Sequence, residues 1–266
     1  YMKIKELLNY LNSDFPSFLQ ESFDNTGNQI VFPDEELTGI YICLDPDRFI
    51  IDEALSLNCN LIISHHPMIF KPLKSIVHGD VKSSNIISLI SKSASLFSMH
   101  TNFDKIMYSH LADVLGFGNT SVLIQTDIYD EKPVGIGSFA ELNEAMGFRM
   151  LLDRVKEKLD LEFLLYAGSE TNQINTIAFI NGSGGSSIEK VIKSSNPDCI
   201  ITGDVGYHHI KSAIESDKCV IDAGHFGTEK IFRKLMSEIV KKYVNKDSAS
   251  IKVIESEIEQ NPFKVY

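Results

Sequence analysis

Residues 39–67 read GIYICLDPDRFIIDEALSLNCNLIISHHP, and their pattern of apolar and polar residues indicates the fold class. The apolar run 39–44 ends at Asp45-Pro46, which is typical of a buried strand, and a helix is predicted over about 48–57. A second apolar run, 61–63, ends one residue before two histidines. A strand, a helix and a second strand in this order predict a parallel βαβ unit.

The same alternation continues through most of the 266 residues, a length that suits one large domain or two modest ones. It predicts an α/β fold with two similar α/β domains, each with mostly parallel central strands. The pattern changes near residue 126, so the domains are placed at 1–126 and 127–266. Around this boundary we expect two short strands, 121–126 and 134–140, followed by a helix over 143–158.

The charge balance argues against a nucleic-acid partner. The chain has 36 acidic and 25 basic residues, a net charge of −11, and its four arginines are scattered. A duplex-binding protein concentrates Lys and Arg to displace counterions from phosphate. A small anionic substrate stays compatible with this composition if a metal ion supplies the local positive charge.

Cysteine usage and hydropathy predict a cytoplasmic protein. The four cysteines lie far apart and form no CxxC pair, which is typical of free thiols in a reducing compartment. No apolar run approaches the roughly 18 residues that suggest a membrane span.

Two adjacent histidines follow the predicted strand at residues 61–63. Side chains that are neighbours at a strand end point in different directions, so His65 and His66 are poorly placed to chelate one ion together. They are well placed to bind one ion each of a pair about 3.5–4 Å apart. Two ordinary surface histidines are an equally good interpretation of this motif alone.

His100 and Asp104 stand in the corresponding position after the next strand, residues 96–98. The carboxyl ends of parallel strands are where open α/β sheets form their ligand crevice. The alternative is that Asp104 caps a helix and His100 is packed in the core. The repeated location favours the ligand interpretation.

His225 and Glu229 follow a third short strand, 219–221, and are four residues apart. If a helix begins near Phe226, both side chains project from one face of its first turn. A histidine and a carboxylate at this spacing form a recurrent pair of metal ligands. The spacing alone is weak, because it occurs by chance on many helices.

Together these motifs predict a metal centre with two divalent ions. The five proposed ligands all lie just past strand ends: His65, His66, Asp104, His225 and Glu229. Nitrogen and oxygen ligands without a thiolate favour Zn, Mn or Fe over a structural zinc site rich in cysteine.

Two further strand-to-helix junctions are candidates for supporting roles. The first contains Gly182, Ser183, Gly184, Gly185 and Ser186, whose backbone amides are placed to bind a phosphate or carboxylate at a helix start. A tight turn is an equally good interpretation. The segment is not a Walker loop, because it lacks the Gly-Lys-Ser/Thr ending. The second junction contains Asp204, His208 and His209. Asp204 and His208 are possible partners that orient ligands or substrate.

The motifs occur in a characteristic order, and through them the chain resembles the type 2 GTP cyclohydrolase I-like family over nearly its whole length. They are Asp24-Asn25-Thr26-Gly27, Ser64-His65-His66-Pro67, His100-Thr101-Asn102-Phe103-Asp104, Gly182-Ser183-Gly184-Gly185-Ser186, Thr202-Gly203-Asp204 with His208-His209, and Asp222-Ala223-Gly224-His225-Phe226-Gly227-Thr228-Glu229.

The resemblance implies two ions per subunit bound by the same five ligands, in a dinuclear site between two α/β domains of a toroidal homohexamer. Glu229 is the expected bridge, and His100 is expected beside the ligands as a supporting or catalytic residue. The family activity implies a metal-bound hydroxide that attacks C8 of GTP, opens the ring and leads to formate and dihydroneopterin triphosphate. The alternatives are a metal-dependent phosphoester or amide hydrolase, and a ring-shaped metal-binding scaffold or regulatory protein without GTP activity.

Overall fold

The structure, a computed structural model, describes residues 1–247 and 251–266. Its helices are α1 (Ile4–Asp14), α2 (Arg48–Ser56), α3 (Val81–Ser91), α4 (Thr101–Ile106), α5 (His110–Val114), α6 (Phe148–Lys158), α7 (Ile188–Ser195), α8 (Tyr207–Glu215), α9 (His225–Glu229) and α10 (Ile231–Asp247). Its strands are β1 (Gly27–Ile30), β2 (Gly39–Cys43), β3 (Leu61–Ser64), β4 (Ser95–Ser98), β5 (Ser121–Tyr129), β6 (Lys132–Gly147), β7 (Leu165–Ala167), β8 (Gln173–Phe179), β9 (Cys199–Thr202), β10 (Cys219–Asp222) and β11 (Lys252–Glu255). The predicted α/β class is confirmed.

The chain forms two compact units. The first comprises Tyr1–Phe103 and Ile231–Gln260, and the second comprises Asp104–Lys230 and Asn261–Tyr266. The last helix and strand return to the first unit because β11 pairs in parallel with β2, with Lys252 opposite Gly39. A boundary near residue 126 would put these residues in the second domain, because an apolar run does not reveal which strand it will pair with.

Among the described residues, the sheet of the first unit has five strands in the order β1-β4-β3-β2-β11. Only β1 is antiparallel to its neighbour within this set. Strands β2, β3 and β4 are buried along their whole length, which explains their continuous apolar runs. Cys43, Ser64 and Ser98 lie in register, so the segments that follow these strands all begin at one edge of the sheet.

In the second unit, the described residues form a six-stranded sheet in the order β5-β6-β8-β9-β10-β7. The central strands β8, β9 and β10 are parallel, and the outer pairings are antiparallel. Successive side chains of β9 point to opposite faces of the sheet. Ile201 packs in an apolar cluster with α5 and α6, whereas Ile200 packs in an apolar cluster with α7 and α8. Because Thr202 lies opposite Asp222, the ends of β9 and β10 are also aligned.

The hairpin of β5 and β6 is longer than the sequence predicts. The turn at Asp130 and Glu131 has φ of 50° and 61°, the left-handed conformation of a tight hairpin. The predicted helix from residue 143 was wrong at its start: residues 143–147 belong to β6, and α6 begins at Phe148. Pairing of Met146 with Ile174 on β8 outweighs the helical tendency of this segment.

Within the described part of the chain, no helix combines the length and apolar character needed to cross a bilayer. All four cysteines are buried, free thiols. Burial raises the pKa of Cys43 and of Cys199 well above the usual value, so these thiols stay protonated at neutral pH.

Candidate metal centre

The aligned strand ends of the first unit bring three imidazoles together. His65 and His66 follow β3, and His100 follows β4. Each offers a ring nitrogen, and these nitrogens lie within 4.8 Å of one another. We call these three residues the histidine cluster. The sequence analysis predicts His65 and His66 as ligands but gives His100 only a supporting role, whereas the structure places its ring with theirs.

His65 is the most buried member of the histidine cluster, with 1% of its surface exposed. Its Nδ1 lies 2.8 Å from the carbonyl oxygen of Met99, and its ring packs against Phe232 at a centroid distance of 4.7 Å. Because a carbonyl oxygen only accepts hydrogen bonds, Nδ1 carries the proton. The lone pair is then on Nε2, the nitrogen through which His65 would bind an ion.

The other two rings are held in the same way by carboxylates. His66 Nδ1 lies 2.9 Å from Asp45 Oδ1, and His100 Nδ1 lies 2.7 Å from Asp24 Oδ1. A carboxylate at Nδ1 fixes the ring and makes Nε2 the basic nitrogen. Histidines that bind metals in proteins are usually oriented by such a partner.

Asp24 and Asp45 orient two of these rings, a role that the sequence motifs did not indicate. Burial alone would raise the pKa of Asp24, but hydrogen bonds from His100, Thr101 and the Asn25 amide lower this pKa to about 2. Asp24 is therefore ionised at neutral pH. Its location follows from the antiparallel pairing of β1 with β4, which puts the residues before β1 beside those after β4. The position of Asp45 could have been recognised from the sequence, because Asp45 follows the end of the predicted strand β2, as the proposed ligands follow theirs.

The second unit contains its own group of ligand candidates on α9. His225 Nε2 lies 2.9 Å from Glu229 Oε2, one turn further along the helix. His225 Nδ1 lies 2.7 Å from Asp204 Oδ2. The predicted partner Asp204 therefore contacts a ligand candidate directly, and the ring of His225 is oriented as those of His66 and His100 are. Glu229 is 4% exposed.

A short turn after β8 connects Glu229 with Asp104. Asn181 Nδ2 donates to Asp104 Oδ1 at 2.9 Å. At the next residue, Gly182 has φ of +64°, and a Cβ there would lie 2.0 Å from Glu229 Oε1. Glycine thus lets the backbone approach the carboxylate. We call His225 and Glu229 the His–carboxylate cluster; the contact of Asp104 is with Asn181, and its role as a ligand stays a prediction.

The loop predicted to bind an anion, Gly182–Ser186, is closely packed. A Cβ at Gly184 would lie 2.2 Å from Thr202 Oγ1, and one at Gly185 would lie 2.4 Å from the carbonyl oxygen of Asp204. The Gly182 amide donates to Thr228 Oγ1, and the Gly184 amide donates to the carbonyl of Gly182. Close packing accounts for these glycines, and anion binding by the loop stays a prediction.

The two other histidines of the second junction lie on α8. His208 is exposed, and its ring lies 5.3 Å from that of Tyr207. His209 Nδ1 lies 3.9 Å from Glu189 Oε1. The supporting role predicted for His208 stays a prediction, and none of these contacts involves His225 or Glu229.

The donor chemistry of both clusters fits a divalent transition metal. Imidazole nitrogens and carboxylate oxygens suit Zn, Mn or Fe. The class defined by the fold and the site is therefore an α/β protein with His and carboxylate groups at its strand ends that could hold a metal ion.

The Duf34/NIF3 (NGG1p interacting factor 3) family model matches residues 2–262, and the chain belongs to this family. A Clostridium acetobutylicum protein named GTP cyclohydrolase 1 type 2 homolog is 36% identical over 266 residues, 99% of this chain and 98% of that protein. Helicobacter pylori (strain J99) GTP cyclohydrolase 1 type 2 is 35% identical over 242 residues, 89% of this chain and 91% of that protein.

The fold is also that of a solved structure. A Bacillus cereus protein related to NIF3 superimposes with a TM-score of 0.91 and 21% identity, covering 100% of this chain and 99% of that one. The family resemblance that the motifs indicate is confirmed by the family model and by the relative at 36% identity.

Proposed function

We propose that the protein is a divalent-metal-dependent hydrolase that binds two ions per subunit. The histidine cluster and the His–carboxylate cluster supply the ligands, and the dinuclear site between the two domains is part of this proposal. The observation that carries it is the shared orientation of four imidazoles: each of His65, His66, His100 and His225 has Nδ1 beside an oxygen acceptor.

Divalent ions bound by these residues would supply Lewis acidity and lower the pKa of a coordinated water toward about 7. The chain itself contributes orientation. Asp24, Asp45 and Asp204 keep the rings in the tautomer that presents Nε2. Glu229 presents two carboxylate oxygens, which suits it to contact both ions.

The substrate we propose is GTP, with ring opening at C8 and release of formate. The support is the shared name of the relatives at 36% and 35% identity. Because the chain has only four arginines, we expect lysines and metal ions to balance much of a triphosphate's charge.

The experiment is a formate assay on protein purified without chelator and loaded with Zn, Mn or Fe(II). We expect formate from GTP in the wild type and in His78→Ala, a variant of an exposed histidine outside both clusters. His65→Ala and Glu229→Gln are expected to lose the activity.

Bound metal without formate production, whichever metal is loaded, would exclude the cyclohydrolase reaction. The same sample would then be assayed on phosphoester and amide substrates, and inactivity on these would favour a metal-binding scaffold.

We also propose that the protein assembles as a homohexamer. The first unit exposes large apolar side chains, including Phe23 and Phe49 at 62% and Val81 at 72%. Phe49 and Val81 line the same pocket. Contiguous apolar surface is typical of protein interfaces, and an acidic subunit needs such surfaces to assemble against its own charge. Light scattering at micromolar concentration tests this proposal, and a monomeric mass would contradict it.

A further inference from the structure

A buried carboxylate near the end of the chain lies behind one member of the histidine cluster. After β11, the chain runs along the end of β2, with the Ser256 amide donating to the carbonyl of Ile42 at 2.8 Å. This brings Glu259, whose side chain is 8% exposed, to the segment that follows β2.

Glu259 binds two consecutive backbone amides of that segment. The Leu44 amide lies 2.9 Å from both carboxylate oxygens, and the Asp45 amide donates to Oε1 at 2.8 Å. Arg233 Nη1 lies 3.6 Å from Oε2 and also donates to the carbonyl of Ser256 at 2.6 Å. These contacts offset the cost of burying a carboxylate.

The two residues whose amides Glu259 binds are the same two that hold His66. The carbonyl oxygen of Leu44 accepts a hydrogen bond from the His66 amide at 2.9 Å. The carboxylate of Asp45 lies 2.9 Å from His66 Nδ1. One contact fixes the backbone of His66 and the other fixes its ring, and Glu259 anchors both.

A simple anchor for the chain end does not require this arrangement. A neutral acceptor would satisfy the two amides without placing a second anion near Asp45. Burial raises the pKa of Glu259, and the Asp45 and Leu44 amides and Arg233 oppose that rise by favouring the ionised form. An ionised carboxylate forms stronger hydrogen bonds to N–H groups than a neutral acceptor. In that form Glu259 holds residues 44 and 45 more rigidly, which matters where a ligand must be fixed within about 0.5 Å.

We infer that Glu259 is a positioning residue for the metal ligand His66, acting through Leu44 and Asp45. This inference rests on the proposed metal function. It makes the C-terminal segment that follows β11 a part of the metal centre's support, although the segment contributes no ligand.

The first test measures the Kd for Zn²⁺ by competition with a chelating indicator. We expect Glu259→Ala to weaken binding about 10–100-fold, the usual effect of removing a residue that orients a ligand. Glu259→Gln retains a carbonyl oxygen and should lose less. Glu255→Ala is the matched control, since this glutamate is the last residue of β11, is 37% exposed and pairs with Lys241 at 3.8 Å. Its Kd should equal that of the wild type.

A double-mutant cycle then separates positioning from general destabilisation. If Glu259 acts through Asp45, adding Glu259→Ala to Asp45→Ala should weaken Zn²⁺ binding by far less than Glu259→Ala does in the wild type. Full additivity of the two effects would overturn the inference.

A measurement without metal keeps the inference distinct from the proposed function. In protein labelled with ¹⁵N-histidine, NMR reports the tautomer of His66. Wild type and Glu255→Ala should show the proton on Nδ1, and Glu259→Ala should show a mixture of tautomers. An unchanged His66 tautomer in Glu259→Ala would overturn the inference. Failure of the wild type to bind metal would overturn the proposed function, while the tautomer still decides whether Glu259 positions His66.

Discussion

The two units place ligand candidates at the ends of parallel strands but supply different donors there. In the first unit, three imidazoles gather after β3 and β4. In the second, one imidazole lies beside Glu229 on α9, and Asn181 and Gly182 connect Glu229 with Asp104. A ring held through Nδ1 near a strand end thus occurs both in a nitrogen-rich group and in one that includes a carboxylate. Nitrogen-rich sites favour Zn, whereas carboxylates also suit Mn.

The clusters also differ in how their supporting carboxylates are buried. The side chain of Asp24, beside His100, has no exposed surface, whereas that of Asp204, beside His225, is 46% exposed. Charges interact more strongly when they are shielded from solvent and salt. The histidine cluster should therefore depend more on its supporting charge than the His–carboxylate cluster does.

The largest expected effect is loss of metal when a ligand is removed from either cluster. Wild-type protein should carry about two ions per subunit. His65→Ala and Glu229→Ala should each lose at least one ion, because each substitution removes a side chain proposed to bind an ion directly. Elemental analysis after purification without chelator measures the content. His78→Ala should retain the wild-type value, and unchanged content in both cluster variants would remove the metal proposal altogether.

Removal of the ions should also destabilise the fold. An ion present at about a thousand times its Kd stabilises the folded state by roughly 4 kcal/mol. For a chain of this size, each kcal/mol corresponds to roughly 2–4 °C, so chelation should lower the Tm by about 10 °C. Calorimetry with and without chelator measures this shift. The double variant His65→Ala/Glu229→Ala should show almost none of it, and an equal shift there would assign the effect to the chelator.

The third effect concerns the supporting carboxylates. Asp24→Asn and Asp204→Asn keep an oxygen beside Nδ1 but remove its charge, so both should weaken Zn²⁺ binding. We expect a loss near 100-fold for Asp24→Asn and nearer 10-fold for Asp204→Asn, because Asp24 is the buried partner. Titration with Zn²⁺ in competition with a chelating indicator gives the Kd of each variant. A larger loss at Asp204 would reverse the comparison between the clusters.

Sequence reasoning reached the α/β class and the strand-end location of His65, His66, Asp104, His225 and Glu229. These follow from short apolar runs and from residues adjacent in the chain, which is local information. It did not reach the role of Asp24, because that role depends on the pairing of β1 with β4, which are far apart in sequence. The return of β11 to the first sheet has the same cause: β2 and β11 are separated by most of the chain. Asp45 was overlooked although it follows the end of a predicted strand, as the proposed ligands do.

The smallest expected effect comes from the close approach at Gly182. Alanine at a left-handed backbone position costs about 1–2 kcal/mol, so Gly182→Ala must be compared with Gly116→Ala. Gly116 has φ of +80°, and a Cβ there would meet no atom within 4 Å, whereas at Gly182 it would lie 2.0 Å from Glu229 Oε1. In metal-free protein, urea unfolding should therefore show Gly182→Ala to be less stable than Gly116→Ala by about 1 kcal/mol, the low end of the cost of overpacking because the carboxylate can rotate away. That rotation would move Glu229 from its place beside His225. Gly182→Ala should accordingly bind metal more weakly than Gly116→Ala. Equal affinities of the two variants would mean that the Glu229 carboxylate adjusts without leaving its ligand position.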